Sequence, residues 1–330
     1  MKAIQFSKPG SPEVLCYVEL PLPLISEDEM LVRSHHIGVC IPDTLIRSGI
    51  YPWAPPLPTV PGIEASGIVE KVGKNIRKFS VGDQVIVSAR EKPERCGCYA
   101  EFISAKENEV YPVPSGASME AAACLANYQV AYQMLHKGAR IAEGDTILVY
   151  GAAGGVGSAS VELARLNGLN VIGVASDDEK LSFIKEIGAH FTIDRRDQEI
   201  GEAVMEITDG NGVDLILDPI GGVKFLERLS FLAPMGLLLC YGRLEGYPEG
   251  DLLKEMVRTM GRSPAVRNFS MHSFDNQPEK RIEAMNSLIA LLSLNKISPR
   301  IYSKLPLSEA AEAHQLLESG KAIGKIILQP

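Results

Sequence analysis

The segment Ile147-Leu148-Val149-Tyr150-Gly151-Ala152-Ala153-Gly154-Gly155-Val156-Gly157 constrains the fold more than any other stretch: an apolar run of strand type enters a cluster of glycines and leaves into a helix-forming stretch, Ser158 to Leu166. Glycines at such a turn let the backbone approach a pyrophosphate, and the free N–H groups and positive dipole end of the following helix attract its charge. A glycine cluster alone is weak, so its context matters. Strands are expected at Thr146 to Gly151, Asn170 to Ser176, Phe191 to Asp194, Val213 to Asp218 and Gly236 to Tyr241, alternating with helices near 155 to 167, 177 to 187, 198 to 208 and 222 to 232. That alternation of apolar strands and helices predicts a parallel sheet covered on both faces, a doubly wound α/β domain. A dinucleotide is therefore expected against Ala153, Gly154, Gly155, Val156 and Gly157, the plain alternative being that these glycines only permit close helix and strand packing.

The end of the second strand decides which dinucleotide. Readers of NAD place an Asp or Glu there, about 20 residues after the glycine turn, to hold the ribose hydroxyls. This chain has the small neutral pair Ala175-Ser176, then Asp177, Asp178, Glu179 and Lys180. Ser176 and Glu179 stand at capping-box spacing, which offers both a helix-starting role without a ligand. Lys180, Arg195 and Arg196 lie near the ends of the second and third strands, where a positive charge can neutralise a 2′-phosphate. NADPH is expected over NADH, chiefly because the ribose-binding acid is missing, with Ser176, Lys180 and Arg195 around the adenosine ribose and its phosphate.

The rest of the chain has another texture. Short alternating or β-branched runs at Leu15 to Leu20, Met30 to Ile37, Gly67 to Val72, Gln84 to Val87 and Tyr99 to Ser104, separated by turn residues, predict a β-rich domain over the first ~115 residues. Inside it Tyr51-Pro52-Trp53-Ala54-Pro55-Pro56-Leu57-Pro58 is too rich in proline for a ladder or a helix and reads as an extended surface loop, a plausible cleft wall. Met119 to Lys137, Pro278 to Leu294 and Ser308 to Ser319 have helical spacing, and Gly324 to Leu328 looks like a last strand. A length of 330 residues fits two domains.

Composition excludes several classes. Lys plus Arg is 33 against 41 Asp plus Glu, a net charge of −8, so a general nucleic-acid binder is not expected. No apolar stretch approaches the roughly 18 to 20 residues of a membrane span, and no secretory leader precedes Lys8-Pro9; a cytoplasmic protein is expected. Six cysteines are scattered through a chain large enough to fold without staples, which predicts free thiols. Cys96-Gly97-Cys98 lacks partners for a closed metal site, and the adjacent His35 and His36 point to opposite faces of a strand.

The runs Gly38-Val39-Cys40-Ile41-Pro42-Asp43-Thr44-Leu45-Ile46-Arg47-Ser48-Gly49-Ile50-Tyr51-Pro52, Pro61-Gly62-Ile63-Glu64-Ala65-Ser66-Gly67 and Val81-Gly82-Asp83-Gln84-Val85, with the glycine turn and the ending Gly324-Lys325-Ile326, resemble the medium-chain dehydrogenase/reductase superfamily. Within it the chain is most similar to the zinc-independent quinone oxidoreductase, zeta-crystallin-like, branch. The resemblance implies a GroES-like catalytic domain built from residues 1–123 and 266–330, a central Rossmann domain over 124–265, and a cleft between them where nicotinamide meets substrate. By position, the catalytic zinc ligands of metal-dependent relatives correspond to Cys40, Ile63 and Ala126, so one donor of three survives and no zinc is expected. Relatives carry Asn at the place of Cys40 and Gln-Gly-Leu-Thr at that of Asn127-Tyr128-Gln129-Val130, segments that border the nicotinamide pocket. Family position also puts Val130, Gly242, Arg243, Phe269, Ser270, Met271 and Lys325 near the cofactor; Arg243 can equally be solvated and Lys325 an ordinary strand-edge lysine.

These readings give NADPH-dependent transfer of a hydride to a quinone or other α,β-unsaturated carbonyl, with neither metal nor flavin. Tyr51, Asn127 or Tyr128 would hydrogen-bond the acceptor oxygen, and Cys40, Trp53 and Ile63 would line the pocket. Tyr51 also reads as a loop residue packed beside Trp53, and Cys40 as a small packed thiol with no basic neighbour in sequence. Two alternatives stand: a 2-enoyl-thioester or alkenal reductase on the same scaffold, and a non-catalytic NADPH-binding sensor or scaffold, for which a pI near 5.4 disfavours RNA as partner. A homodimer is implied by the resemblance, through edge pairing of Gly236 to Tyr241.

Overall fold

In the computed structural model, which describes residues 1–330, the strand and helix alternation folds as a six-stranded parallel sheet. Its strand order is Phe191–Asp194, Asn170–Ala175, Thr146–Val149, Val213–Asp218, Leu232–Cys240, Ala265–Asn268. The interior strands are apolar on both faces because helices cover both, and Leu148, Ile172, Val174, Ile216 and Leu238 form the core with Leu229 and Phe231. Chain order reverses between Thr146–Val149 and Val213–Asp218, so the glycine turn leaves its strand at the topological switch point where ligands of such sheets bind.

Three expectations are corrected in this unit. The helix expected over 222 to 232 is a 3-10 turn, Leu226–Phe231, preceded by Gly221 and Gly222 at positive φ. The fifth strand starts at Leu232 rather than Gly236 and is interior, paired on one side with Val213–Asp218 and on the other with Ala265–Asn268. A dimer through Gly236 to Tyr241 is therefore closed off, because that strand has no free edge. The sixth strand was not legible: Ala-Val-Arg-Asn is too short to show a period. Because it joins this sheet, the chain clusters into residues 1–127 with 287–330 and residues 128–286.

The other unit holds a mainly antiparallel seven-stranded sheet. Its order is Ile301–Pro306, Lys325–Gln329, Glu29–Val39, Glu64–Val72, Gln84–Ser88, Val110–Pro112, and Phe102–Lys106 also pairs with Glu29–Val39. The last strand of the chain thus lies in mid-sheet against an early one, which places both chain ends in a single unit. Lys2–Gln5 and Cys16–Glu19 form a separate hairpin, and helix Ala310–Glu318 packs against the sheet core through Ala310 and Ala313. The helix expected over 119 to 137 is broken into Met119–Ala122, Leu125–Gln133 and a π turn, Met134–Ala139. No helix is long and apolar enough to cross a membrane.

Candidate functional site

The glycine turn is built for a close approach. Gly154 precedes helix Gly155–Leu166 as its N-cap, and no side chain caps that end. Gly157 is buried against Gly151: a Cβ there would lie 2.1 Å from the Gly151 carbonyl oxygen, so helix and turn touch backbone to backbone. Gly154, Gly155 and Val156 remain partly accessible, and Ala153 is buried beneath them. An uncapped helix start with glycine on its outer face offers N–H groups and a positive dipole end to an anion.

Behind the turn, Tyr150 lies under the Arg228 guanidinium, 4.5 Å from ring centre to Cζ. Arg228 pairs with the buried Asp218 and donates to the Gly221 carbonyl at 3.0 Å, while Asp218 accepts from the N–H groups of Ile220 and Gly221 at 2.7 and 3.2 Å. Loop 219–222 is thereby fixed, and it in turn holds loop 242–246: Leu244 N–H donates to Pro219, Glu245 N–H to Ile220 and Gly222 N–H to Gly246. Gly242 fits only because it lacks a Cβ, which would lie 2.6 Å from the Pro219 oxygen. Arg243 is exposed and stacks over Tyr247 at 4.7 Å. Phe269 and Met271 are buried, and the Ser270 hydroxyl accepts from His272 N–H.

At the second strand end the helix cap differs from the expectation. Asp177, not Ser176, caps helix Asp178–Glu186, accepting from Lys180 N–H at 2.9 Å and pairing with the Lys180 ammonium at 2.9 Å. Carboxylate outcompetes hydroxyl for the orphan donor, which leaves Ser176 half-buried outside the capping role. Arg196 is held by Asp194 and Asp178, and Arg195 is exposed at the end of the third strand.

One expected polar group is already engaged. The Tyr128 hydroxyl is buried and donates to the buried Glu162 carboxylate, which removes it as a donor to an acceptor oxygen. Its helix neighbours Gln129 and Gln133 donate to the carbonyls of Arg281 and Lys280. Val130 and Asn127 are half-buried.

In the other unit, Cys40 has a basic neighbour that its sequence context hides. The Lys325 ammonium donates to Cys40 Sγ at 2.7 Å and to Glu64 Oε1 at 2.5 Å, and the thiol lies 3.3 Å from the same oxygen. Lys325 is corrected on its strand-edge reading, since its strand is interior and its side chain only 3% exposed. Burial raises the Cys40 thiol well above its ordinary pKa despite the lysine, so it is a packed thiol. Burial works to discharge Lys325, but the Cys40 sulfur and Glu64 carboxylate overcome it and keep the group an ammonium. Glu64 Oε2 accepts the Ala126 N–H at 2.7 Å. Asp43 accepts the Cys40 N–H at 2.9 Å and lies 3.4 Å from the Tyr99 hydroxyl, which meets His314 Nε2 at 3.1 Å. Burial, with Arg47 nearby, lowers His314 to about 3, so the imidazole is neutral. Tyr51 is half-buried with its ring 5.9 Å from Trp53, and Ile63 is half-buried. Sequence reasoning missed Glu64, Asp43 and Tyr99 as site residues; the one available signal was an acidic residue set in an apolar strand at Glu64.

Comparison with known proteins agrees with these two halves. Residues 26–115 match the alcohol dehydrogenase GroES-like domain family and residues 187–328 the zinc-binding dehydrogenase family. Quinone oxidoreductase of Pseudomonas aeruginosa is 33% identical over 100% of this chain and 99% of its own. The structure of Escherichia coli quinone oxidoreductase complexed with NADPH superposes with a TM-score of 0.90 at 31% identity, covering all of both chains. A 2-haloacrylate reductase structure follows at 0.81 and 29%, covering 100% of this chain and 99% of its own. With relatives of this identity aligned from end to end, the chain belongs to the medium-chain dehydrogenase/reductase superfamily, among its quinone oxidoreductases.

Proposed function

We propose that the protein is an NADPH-dependent oxidoreductase that passes a hydride to a quinone or another α,β-unsaturated carbonyl without a metal. The observation that carries the reading is the uncapped glycine cradle at the switch point, together with a relative of the same fold whose structure contains NADPH. The bound nicotinamide supplies the hydride chemistry. The N–H groups of Gly154, Gly155 and Val156 receive the pyrophosphate, and Ser176, Lys180 and Arg195 take the ribose and its 2′-phosphate. Arg195 extends the positive charge outward, whereas Lys180 meets the phosphate only by sharing its ammonium with Asp177. Gly242, Arg243, Val130 and the Phe269 to Met271 segment border the remainder of the cofactor. Tyr51 and Asn127 are the candidate donors to the acceptor oxygen, where conjugation gathers negative charge, with Cys40, Trp53 and Ile63 as pocket wall.

A zinc ion does not fit this donor set. Ile63 and Ala126 offer no donor side chain, and the surviving Cys40 sulfur carries the Lys325 ammonium. Turnover of NADPH with a panel of quinones, enals and enoyl thioesters tests the reading, and metal-free preparations should turn over as fast as untreated ones. Tyr51→Phe is expected to lower kcat about tenfold or more on the best acceptor, the loss of one hydrogen bond to a developing charge. An unchanged kcat would remove Tyr51 from the proposal. The enoyl reductase alternative draws on the likeness to a 2-haloacrylate reductase and is favoured if enoyl substrates outperform quinones. NADPH binding without turnover on any acceptor would favour the sensor reading.

A further inference from the structure

Lys325, Glu64 and Cys40 meet at a point that no step above uses. Lys325 and Glu64 are each 3% exposed, with Nζ and Oε1 2.5 Å apart. The pair has had room cleared for it: a Cβ on Gly38 would lie 2.7 Å from Glu64 Oε1, 2.8 Å from Lys325 Cε and 2.3 Å from the Ala123 oxygen. A buried ion pair is a poor device for stability, since apolar residues of like volume commonly serve as well or better. What this pair does instead is join four backbone segments. Lys325 opens the last strand, Glu64 opens the strand on the far side of Glu29–Val39 from it, and Cys40 starts helix Ile41–Ser48. Ala126, whose N–H donates to Glu64 Oε2 at 2.7 Å, lies in the first turn of helix Leu125–Gln133, where a carboxylate both satisfies an orphan donor and suits the dipole. Asn127 is the next residue.

We infer that Glu64 and Lys325 are positioning residues that fix Cys40 and Asn127 relative to one another, and so set how well the acceptor, rather than the cofactor, is held. This rests on the proposed acceptor role of Asn127. Lys325 orients Glu64; Glu64 anchors the helix start; Gly38 makes the space.

The double variant Glu64→Met with Lys325→Met removes both charges at similar volume. It should keep the wild-type thermal midpoint and NADPH Kd, yet lose about tenfold in kcat/KM for the best quinone with a raised acceptor KM, while backbone amides at 125 to 128 exchange about tenfold faster. Glu64→Asp, which keeps the charges but is too short to reach both partners, should show the same split more mildly, and Lys325→Arg should retain most of the activity. Wild-type kcat, KM and amide exchange in the double variant, or in Glu64→Asp should the double fail to fold, would overturn the inference. Amide exchange separates the two levels: a wild type inactive on every acceptor defeats the proposed function, while exchange at 125 to 128 still decides whether the pair positions that helix.

Discussion

Asp43 shows how one buried carboxyl ties stability to pH. One oxygen accepts the Cys40 N–H at 2.9 Å, while the other has no hydrogen-bond partner, and the side chain is wholly buried. Burial pushes its pKa up to about 7, against the pull of the Cys40 N–H and of Lys325. A carboxyl whose folded pKa lies above the unfolded value binds its proton more tightly when folded. Its contribution is therefore fully present below about pH 4 and is lost as pH rises to about 7. Asp43→Asn keeps the shape and the acceptor without the charge, so its thermal midpoint should match the wild type at pH 4 and exceed it by several degrees at pH 8. A constant difference between the two variants across that range would show that Asp43 does not hold a proton in the fold. None of this was legible from Cys40 to Asp43 alone, because burial is decided by Tyr99, Lys325 and Glu64, which come from distant parts of the chain. The same distance, 261 residues between Glu64 and Lys325, hid the ion pair.

Elements were legible where their periods were long and their ends chemically marked. Val213–Asp218 and Phe191–Asp194 fall where the apolar runs put them, and the glycine turn announces both the strand before it and the helix after it. Failures came where a tertiary contact outweighed local preference. Arg228 is drawn inward to Asp218 within the 3-10 turn at Leu226–Phe231, and Ala265–Asn268 becomes a strand only because Leu232–Cys240 offers it an edge. Within the glycine turn the residues are not equivalent. A Cβ on Gly157 would meet backbone at 2.1 Å with nothing free to yield, whereas one on Gly154 would lie 3.3 Å from the Gly151 oxygen. Gly157→Ala is expected to cost about 2 to 4 kcal/mol in denaturant unfolding, in the range of severe backbone clashes. Gly154→Ala should lie within ~1 kcal/mol of wild type but bind NADPH more weakly, since its methyl would stand where the phosphate approaches. Equal stability of the two variants would show that helix and turn can separate at Gly157, and the tight-approach argument would fall.

At the scale of the whole molecule, the interior position of Leu232–Cys240 moves the free edge of the parallel sheet to another strand. The free edge on that side of the parallel sheet is Ala265–Asn268, which bonds only to Leu232–Cys240. Just before it, helix Leu252–Arg258 buries none of its residues and exposes Leu253, Val257 and, in the turn that follows, Met260 at 70, 58 and 69%. An unpaired edge beside exposed apolar side chains is unstable as free surface and suits an isologous contact, in which the same strand pairs with itself across a two-fold axis. We therefore expect a dimer formed by Ala265–Asn268 and this helix. Val257→Asp with Met260→Asp should shift the sedimentation coefficient from dimer to monomer, while Val223→Asp, exposed at 65% elsewhere in this unit, should leave the dimer intact. A wild type that sediments as a monomer at every concentration, or a charged double variant that remains dimeric, would assign the apolar helix to some other contact.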